Sequence, residues 1–229
     1  MENNPCMTFE DVNYSYGSIP ALKDARFAVP KGSLCAMVGP NGGGKSTIIK
    51  LLTGIHRPQS GRITITKGHT ISYVAQDNGF DTSFPMTVGE MVLTGTLCPR
   101  IRPFYRYTPH QRRQAEAALD RVGLEGFSRR GIHQLSGGQL KRAVIARALS
   151  SNADVLILDE PDGSLDVDAT RELYAILASL KGETTILVAS HHINEVLDVA
   201  DHALYVHGSV SSFDAPQRLK EKLMQGITL

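Results

Sequence analysis

The stretch "GPNGGGKST", residues 39–47, decides how the rest of the chain is read. Four of its nine residues are glycine, and a lysine and two hydroxyls follow them. Residues 39–46 fit the pattern G-x-x-x-x-G-K-[ST], whose glycines let backbone N–H groups turn inward as a nest of donors for phosphate oxygens. The context also fits. "SLCAMV" before it is a short apolar run that suits a buried strand, and "KSTIIKLLTG" after it reads as a helix ending at Gly54. A helix N-terminus adds partial positive charge where the phosphate would sit. A glycine-rich turn with an incidental lysine is the plainer alternative, and the strand before and helix after argue against it. Gly39, Pro40, Asn41, Gly42, Gly43 and Gly44 are therefore candidate phosphate ligands. Lys45 is placed for the β- and γ-phosphates, and Ser46, with Thr47 beside it, for Mg²⁺.

Working outward, the N-terminal side alternates like a sheet. "MTFEDVNYSY" and "ARFAVPKGSLCAMVG" are strand-rich with turns at Gly17, Pro30 and Gly32, and "GRITI" and "TISYVAQ" read as further strands. From about residue 87 to 150 the signals turn helical. Thr108-Pro109-His110-Gln111 has the form of a capping box with proline at the first helical position. Ala115, Ala118, Leu119 and Val122 follow at helical spacing, with Gly123 to end the turn. Ser136-Gly137-Gly138-Gln139 is a second capping-box pattern, with Leu140, Val144, Ala148 and Leu149 along one face behind it. The last third alternates again: "DVLILD" a buried strand, "DATRELYAILASLKG" a helix, "TTILVAS" a strand, "INEVLDVA" a helix and "RLKEKLMQGITL" a terminal helix. Strands with helical crossovers, interrupted by a helical block, make an α/β fold with a helical insertion.

Composition bounds the function. The chain has 229 residues and 41% hydrophobic content, enough for one good core. Lys plus Arg is 24 and Asp plus Glu is 23, so the chain lacks the basic balance of a dedicated nucleic-acid binder. Cys6, Cys35 and Cys98 are few, odd in number and without metal-ligand spacing, which points to a reducing compartment. "MENNPCMTFEDV" has neither the basic start nor the apolar block of a signal peptide. No run approaches the roughly 20 apolar residues that span a bilayer. The expectation is a soluble intracellular chain that docks on a membrane only through a partner.

A phosphate loop needs a carboxylate for the metal and a group to position water. "VLILDE", residues 155–160, supplies both at a strand end: Asp159 for Mg²⁺ and Glu160 for the attacking water. In "ASHHINEV", His191 follows a strand directly and points toward the same edge. His56, His69, His110, His133, His202 and His207 have no partner legible in the sequence.

"LSGGQ", residues 135–139, lies just ahead of "VLILDE". A phosphate loop, LSGGQ, "VLILDE" and a later histidine, in that order, resemble the ATP-binding-cassette (ABC) ATPases through nearly the whole chain. The resemblance implies a P-loop NTPase (RecA-like) core, an N-terminal antiparallel β subdomain and an inserted α-helical subdomain. Residues 1–84 and 151–229 would form the core, and residues 85–150 the helical part with the signature. It implies that Tyr16, in "SYG", stacks on adenine and that Gln76 meets Mg²⁺ and water. His191 would contact the γ-phosphate, and Asp166, in "GSLD", would cross to a second subunit. Ser136, Gly137, Gly138 and Gln139 would cap the ATP held by that other copy, which implies a head-to-tail pair with two ATPs at its interface. Three departures stand out. Gly43 replaces a frequent alanine, which is expected to be harmless. Asp162 is expected to add charge near the site. His192 stands where aspartate commonly follows the histidine.

The length matches a separate ATPase subunit of a bacterial-type importer, on the cytoplasmic face of the inner membrane. Such a subunit would have an integral permease and, indirectly, a substrate-binding protein as partners. "FPMTVGEMVLTG" and "YTPHQRRQAEAALDRVGL" look most like the cassettes of zinc, manganese and iron importers. Iron-chelate and cobalamin cassettes are the neighbouring alternative. A soluble cassette acting on nucleic acid, or a scaffold that binds ATP without turnover, are the remaining readings. The first lacks its usual second cassette or coiled-coil insertion, and Glu160 and His191 argue against the second.

Overall fold

The computed structural model describes residues 5–76, 82–97 and 105–225; Cys98 and the last four residues of the expected C-terminal helix fall outside them. The chain begins with β1 (Pro5–Tyr16) and β2 (Ile19–Pro30), which pair antiparallel, and β3 (Leu34–Val38) follows. Next come α1 (Lys45–Leu52), β4 (Ser60–Ile65) and β5 (Ile71–Val74). The helical section holds α2 (Val88–Leu93), α3 (Pro109–Arg121) and α4 (Gly137–Leu149). Then follow β6 (Val155–Asp159), α5 (Val167–Ser179), β7 (Thr185–Ala189) and α6 (Ile193–Val199). A hairpin of β8 (His202–His207) and β9 (Ser209–Phe213) and a final α7 (Pro216–Met224) complete it.

One sheet has the order β2-β1-β4 and the other β5-β6-β7-β3-β8-β9. In the larger sheet every pairing is parallel except β8 with β9. β3, β6 and β7 are buried at every position, which explains why they read as continuous apolar runs rather than as alternation. Their side chains still alternate in destination. Leu34, Ala36, Leu156, Leu158, Ile186 and Val188 join the core shared with the helical section. Cys35, Met37, Val155, Ile157, Leu187 and Ala189 join a second core under α1 and the antiparallel sheet, where Phe9 and Phe27 stack with centroids 4.4 Å apart.

The expected caps are formed. Thr108 accepts from the Gln111 amide, whose side chain accepts from the Thr108 amide in turn. Ser136 and Gln139 do the same for α4. A third reciprocal cap, Thr87 with Glu90, opens α2 and was not anticipated. The β8–β9 hairpin was not anticipated either. Its turn at Gly208 has φ 70, and its serine-rich second strand carries no apolar alternation.

Among the described residues, the Thr170 hydroxyl on α5 is the one buried side-chain polar atom without a hydrogen-bond partner. An unsatisfied buried hydroxyl is destabilising, and valine has the same branched shape without it. Thr170→Val is expected to raise stability by about 1 kcal/mol, seen as a melting temperature about 2–4 °C higher. A lower melting temperature would mean that the hydroxyl is satisfied in solution.

Candidate functional site

The parallel strands β3, β5, β6 and β7 deliver residues 39, 75, 160 and 190 to one edge of the sheet, the edge where open α/β folds bind ligands. The loop after β3 is built on glycine. Gly39, Gly42 and Gly44 have φ of 148, 74 and 111, conformations that L side chains rarely adopt. Gly44 caps α1, whose first turn holds no acidic residue to neutralise the positive end. The loop also rests tightly on the end of β8. A Cβ on Gly43 would lie 2.5 Å from the Val206 carbonyl oxygen, and the Gly208 amide donates to the Gly43 carbonyl at 2.9 Å. Gly43, expected to replace alanine harmlessly, stands where an alanine would need a backbone shift.

Lys45 is 6% exposed, and its ammonium donates to the Gly39 and Pro40 carbonyls at 2.8 and 3.0 Å. Burial pushes its pKa below the ordinary lysine value, against the pull of Glu160 and Asp159. A cavity of about 390 Å³ is lined by Tyr16, Asn41, Gly42, Gly43, Gly44, Lys45, Ser46, Thr47, Lys50 and Glu160, among others. Tyr16 at its rim is 42% exposed. Tyr14 and His56 stack on each other at 5.1 Å, and Tyr16 meets both edge-on. His56, without a partner in the sequence reading, thus braces the ring expected to meet the base. Such aromatic pairs contribute about 0.5–1.5 kcal/mol each. Only the fold could show this, because His56 follows α1 and the tyrosines lie on β1.

The carboxylates stand at the end of β6. Glu160 sits at φ 48, with its amide bonded to the Ala189 carbonyl at 2.9 Å. Its two carboxylate oxygens are both engaged: Gln76 donates from Nε2 at 2.6 Å, and His191 Nε2 lies 2.6 Å from the other. His192 instead stands at the N-terminus of α6, its amide bonded to Ser190 Oγ at 2.9 Å. His191 is thus the member of the pair that meets Glu160. Asp159 is 7% exposed, and the Tyr73 hydroxyl approaches it at 3.4 Å. Burial, and then the charge of Glu160, push its carboxyl above the ordinary aspartate range. Two adjacent carboxylates beside a phosphate loop, one of them buried where a cation would favour its charged form, suit a divalent cation.

Ser136, Gly137, Gly138 and Gln139 open α4, and none of them lines the phosphate-loop cavity. Asp166 caps α5 through the Ala169 amide at 2.8 Å. A Cβ on Gly138 would lie 3.3 Å from the Ala169 Cβ, so the starts of α4 and α5 are neighbours. The structure thus gathers the sequence-derived residues into two groups, one around Lys45 and Glu160 and one at the head of α4. Asp162 lies beneath the site rather than on it. It is 1% exposed, accepts from the Tyr174 and Ser190 hydroxyls and does not line the cavity.

Comparison with known proteins bears on this geometry. The ABC transporter family model matches residues 22–163. The chain belongs to the ABC transporter family. The manganese transport system ATP-binding protein MntB of Bacillus subtilis is 37% identical over 205 residues, covering 86% of this chain and 82% of that protein. The zinc uptake system ATP-binding protein ZurA of Listeria innocua is 35% identical over 216 residues, covering 89% of this chain and 83% of that one. Among solved structures, cbiO1 of Clostridium perfringens, part of the ABC transporter complex cbiONQ, superposes with a TM-score of 0.83 at 28% identity. It covers 97% of this chain and 94% of that one. This ABC chain is a nucleotide-binding ATPase with the P-loop core, antiparallel β part and helical insertion of the family.

The Asp159 shift has a stability consequence for the ABC ATPase. A carboxyl whose folded pKa is raised takes up protons more readily folded than unfolded. The folded state therefore gains stability as pH falls through the raised value, and carries the burden of the buried charge at neutral pH. Asp159→Asn removes that burden. It is expected to raise the melting temperature of the nucleotide-free protein at pH 7, with the gain shrinking toward pH 4. An equal or lower melting temperature at pH 7 would show that the buried charge is compensated.

Proposed function

We propose that this chain is the ATP-hydrolysing subunit of an importer for a divalent metal ion (zinc, manganese or iron), acting on a separate membrane permease. The observation that carries the reading is the Glu160 carboxylate, held at 2.6 Å by both Gln76 and His191 on the rim of the phosphate-loop cavity. The cargo rests on likeness: the relatives named for manganese and zinc cover most of the chain. Among the described residues no helix is long and apolar enough to cross a membrane.

In this reading Tyr16 offers a flat face to adenine, which suits any base and leaves discrimination to the phosphates. Residues 39–47 turn backbone donors and the α1 N-terminus onto the phosphates. Lys45 exchanges its bonds to the Gly39 and Pro40 carbonyls for the β- and γ-phosphates. Ser46 and Asp159, with Gln76 nearby, would hold Mg²⁺, which neutralises phosphate charge during the transfer. Glu160 orients the attacking water and accepts its proton. His191 turns from Glu160 to the γ-phosphate. Residues 136–139 and Asp166 of a second copy close the site head-to-tail, so neither copy is complete alone.

The core comprises residues 1–84 and 151–229, and residues 85–150 form the helical part. That part faces the permease at the cytoplasmic side of the inner membrane, with a substrate-binding protein on the far side. It holds 11 of the 24 Lys and Arg but only 4 of the 23 Asp and Glu. A basic segment of this kind favours approach to an anionic membrane face.

Purified protein is expected to hydrolyse ATP with Mg²⁺, and Lys45→Ala is expected to weaken ATP binding by at least about tenfold. Turnover should rise when the metal permease and its binding protein are co-reconstituted. Unchanged ATP binding by Lys45→Ala would contradict the phosphate cradle. Stimulation only by a permease for a non-metal substrate would contradict the cargo.

A further inference from the structure

The turn after Glu160 is strained at two places. Glu160 has φ 48 and Ser164 has φ 67, both in the left-handed region. Each such non-glycine residue costs about 1 kcal/mol or more and persists only when its surroundings hold it. Between them lies Asp162, buried, with one carboxylate oxygen accepting from two hydroxyls. Tyr174 on α5 donates to it at 2.7 Å, and Ser190, at the end of β7, donates at 2.5 Å. Ser190 Oγ in turn accepts from the His192 amide at 2.9 Å, and the Ser190 amide is fixed to the Met37 carbonyl at 3.2 Å. One oxygen thus ties three pieces of chain: the turn carrying Glu160, the two residues flanking His191, and the helix that Asp166 begins.

We infer that Asp162 is a positioning residue, which sets the turn of Glu160 against His191 through Ser190 and anchors that turn to α5 through Tyr174. The inference rests on the ATPase reading above and deepens it. Asp162 touches none of the reacting groups. The Glu160–His191 separation is the sum of two backbone placements, and the link Asp162–Ser190 is the side-chain tie between them. Deleting it lets the two loops drift, and a displacement of about 1 Å in a catalytic group costs about 100-fold in rate.

The test uses the full chain. Asp162→Ala is expected to lower kcat by about 10- to 100-fold while KM for ATP stays within about threefold. Tyr174→Phe and Ser190→Ala, which each remove one donor with little change of shape, should lower kcat by about 3- to 10-fold and keep the positioning role testable if Asp162→Ala folds poorly. Asp162→Asn keeps an oxygen able to accept both bonds and should retain kcat within about threefold of wild type. In a His191→Ala background, Asp162→Ala should cost less than about twofold further, because the two act as a unit. Without nucleotide, the ring ¹⁵N shifts of His191 should move in Asp162→Ala and stay in place in Asp162→Asn. Wild-type turnover with unchanged kcat and unchanged His191 shifts in Asp162→Ala would overturn the positioning role and leave the ATPase reading standing. A fully additive loss in the His191→Ala background would show that Asp162 acts on the fold at large. A wild type without turnover, but with His191 shifts that respond to Asp162, would sink the ATPase reading and keep the tie.

Discussion

The burial of β3, β6 and β7 on both faces is the constraint on which the site depends. Three adjacent parallel strands, sealed between two cores, cannot slide without exchanging which side chains meet which core. Their in-register pairing therefore fixes where the chain leaves the sheet: Gly39, Glu160 and Ser190 emerge at one edge. Everything chemical follows from that. The phosphate loop is glycine-bearing and the Glu160 turn is strained, and Glu160 meets His191 at 2.6 Å because rigid strands deliver both to one edge.

The site holds more unfavourable features than a surface of equal size. Burial disfavours the charged forms of Lys45 and Asp159, and Glu160 and Ser164 have left-handed backbones. Burial of two cores offsets these costs. A bound Mg-nucleotide would relieve the first two at once, by giving Lys45 a phosphate partner and Asp159 a cation. The nucleotide-free protein is thereby poised for its ligand, which is how active sites commonly trade stability for function.

Much of this was legible in the sequence, and the reason is range. The residues 39–47, the caps at Thr108 and Ser136, and the apolar runs of β3, β6 and β7 are local patterns whose physics is complete within a few residues. The contact of His191 with Glu160 was foreseen only as a common edge, and the resemblance to ABC ATPases gave it a role. What stayed hidden depends on chain segments far apart. His56 bracing Tyr14 and Tyr16 requires the segment after α1 to be brought against β1. Asp162 reads only as added charge near the site until Tyr174 on α5 and Ser190 just after β7 are brought to it. The β8–β9 hairpin was missed because its serines obscure alternation, and with it the support that Val206 and Gly208 give the phosphate loop.

In the proposed ATPase the two groups of residues, one around Lys45 and Glu160 and one at the head of α4, form one site only across two copies. The most direct measurement is the size of Glu160→Gln in solution, by sedimentation, with and without Mg-ATP at high protein concentration. The account requires a variant that binds ATP, turns it over poorly and doubles in mass only when Mg-ATP is present. A variant that stays monomeric while saturated with ATP would contradict the shared site.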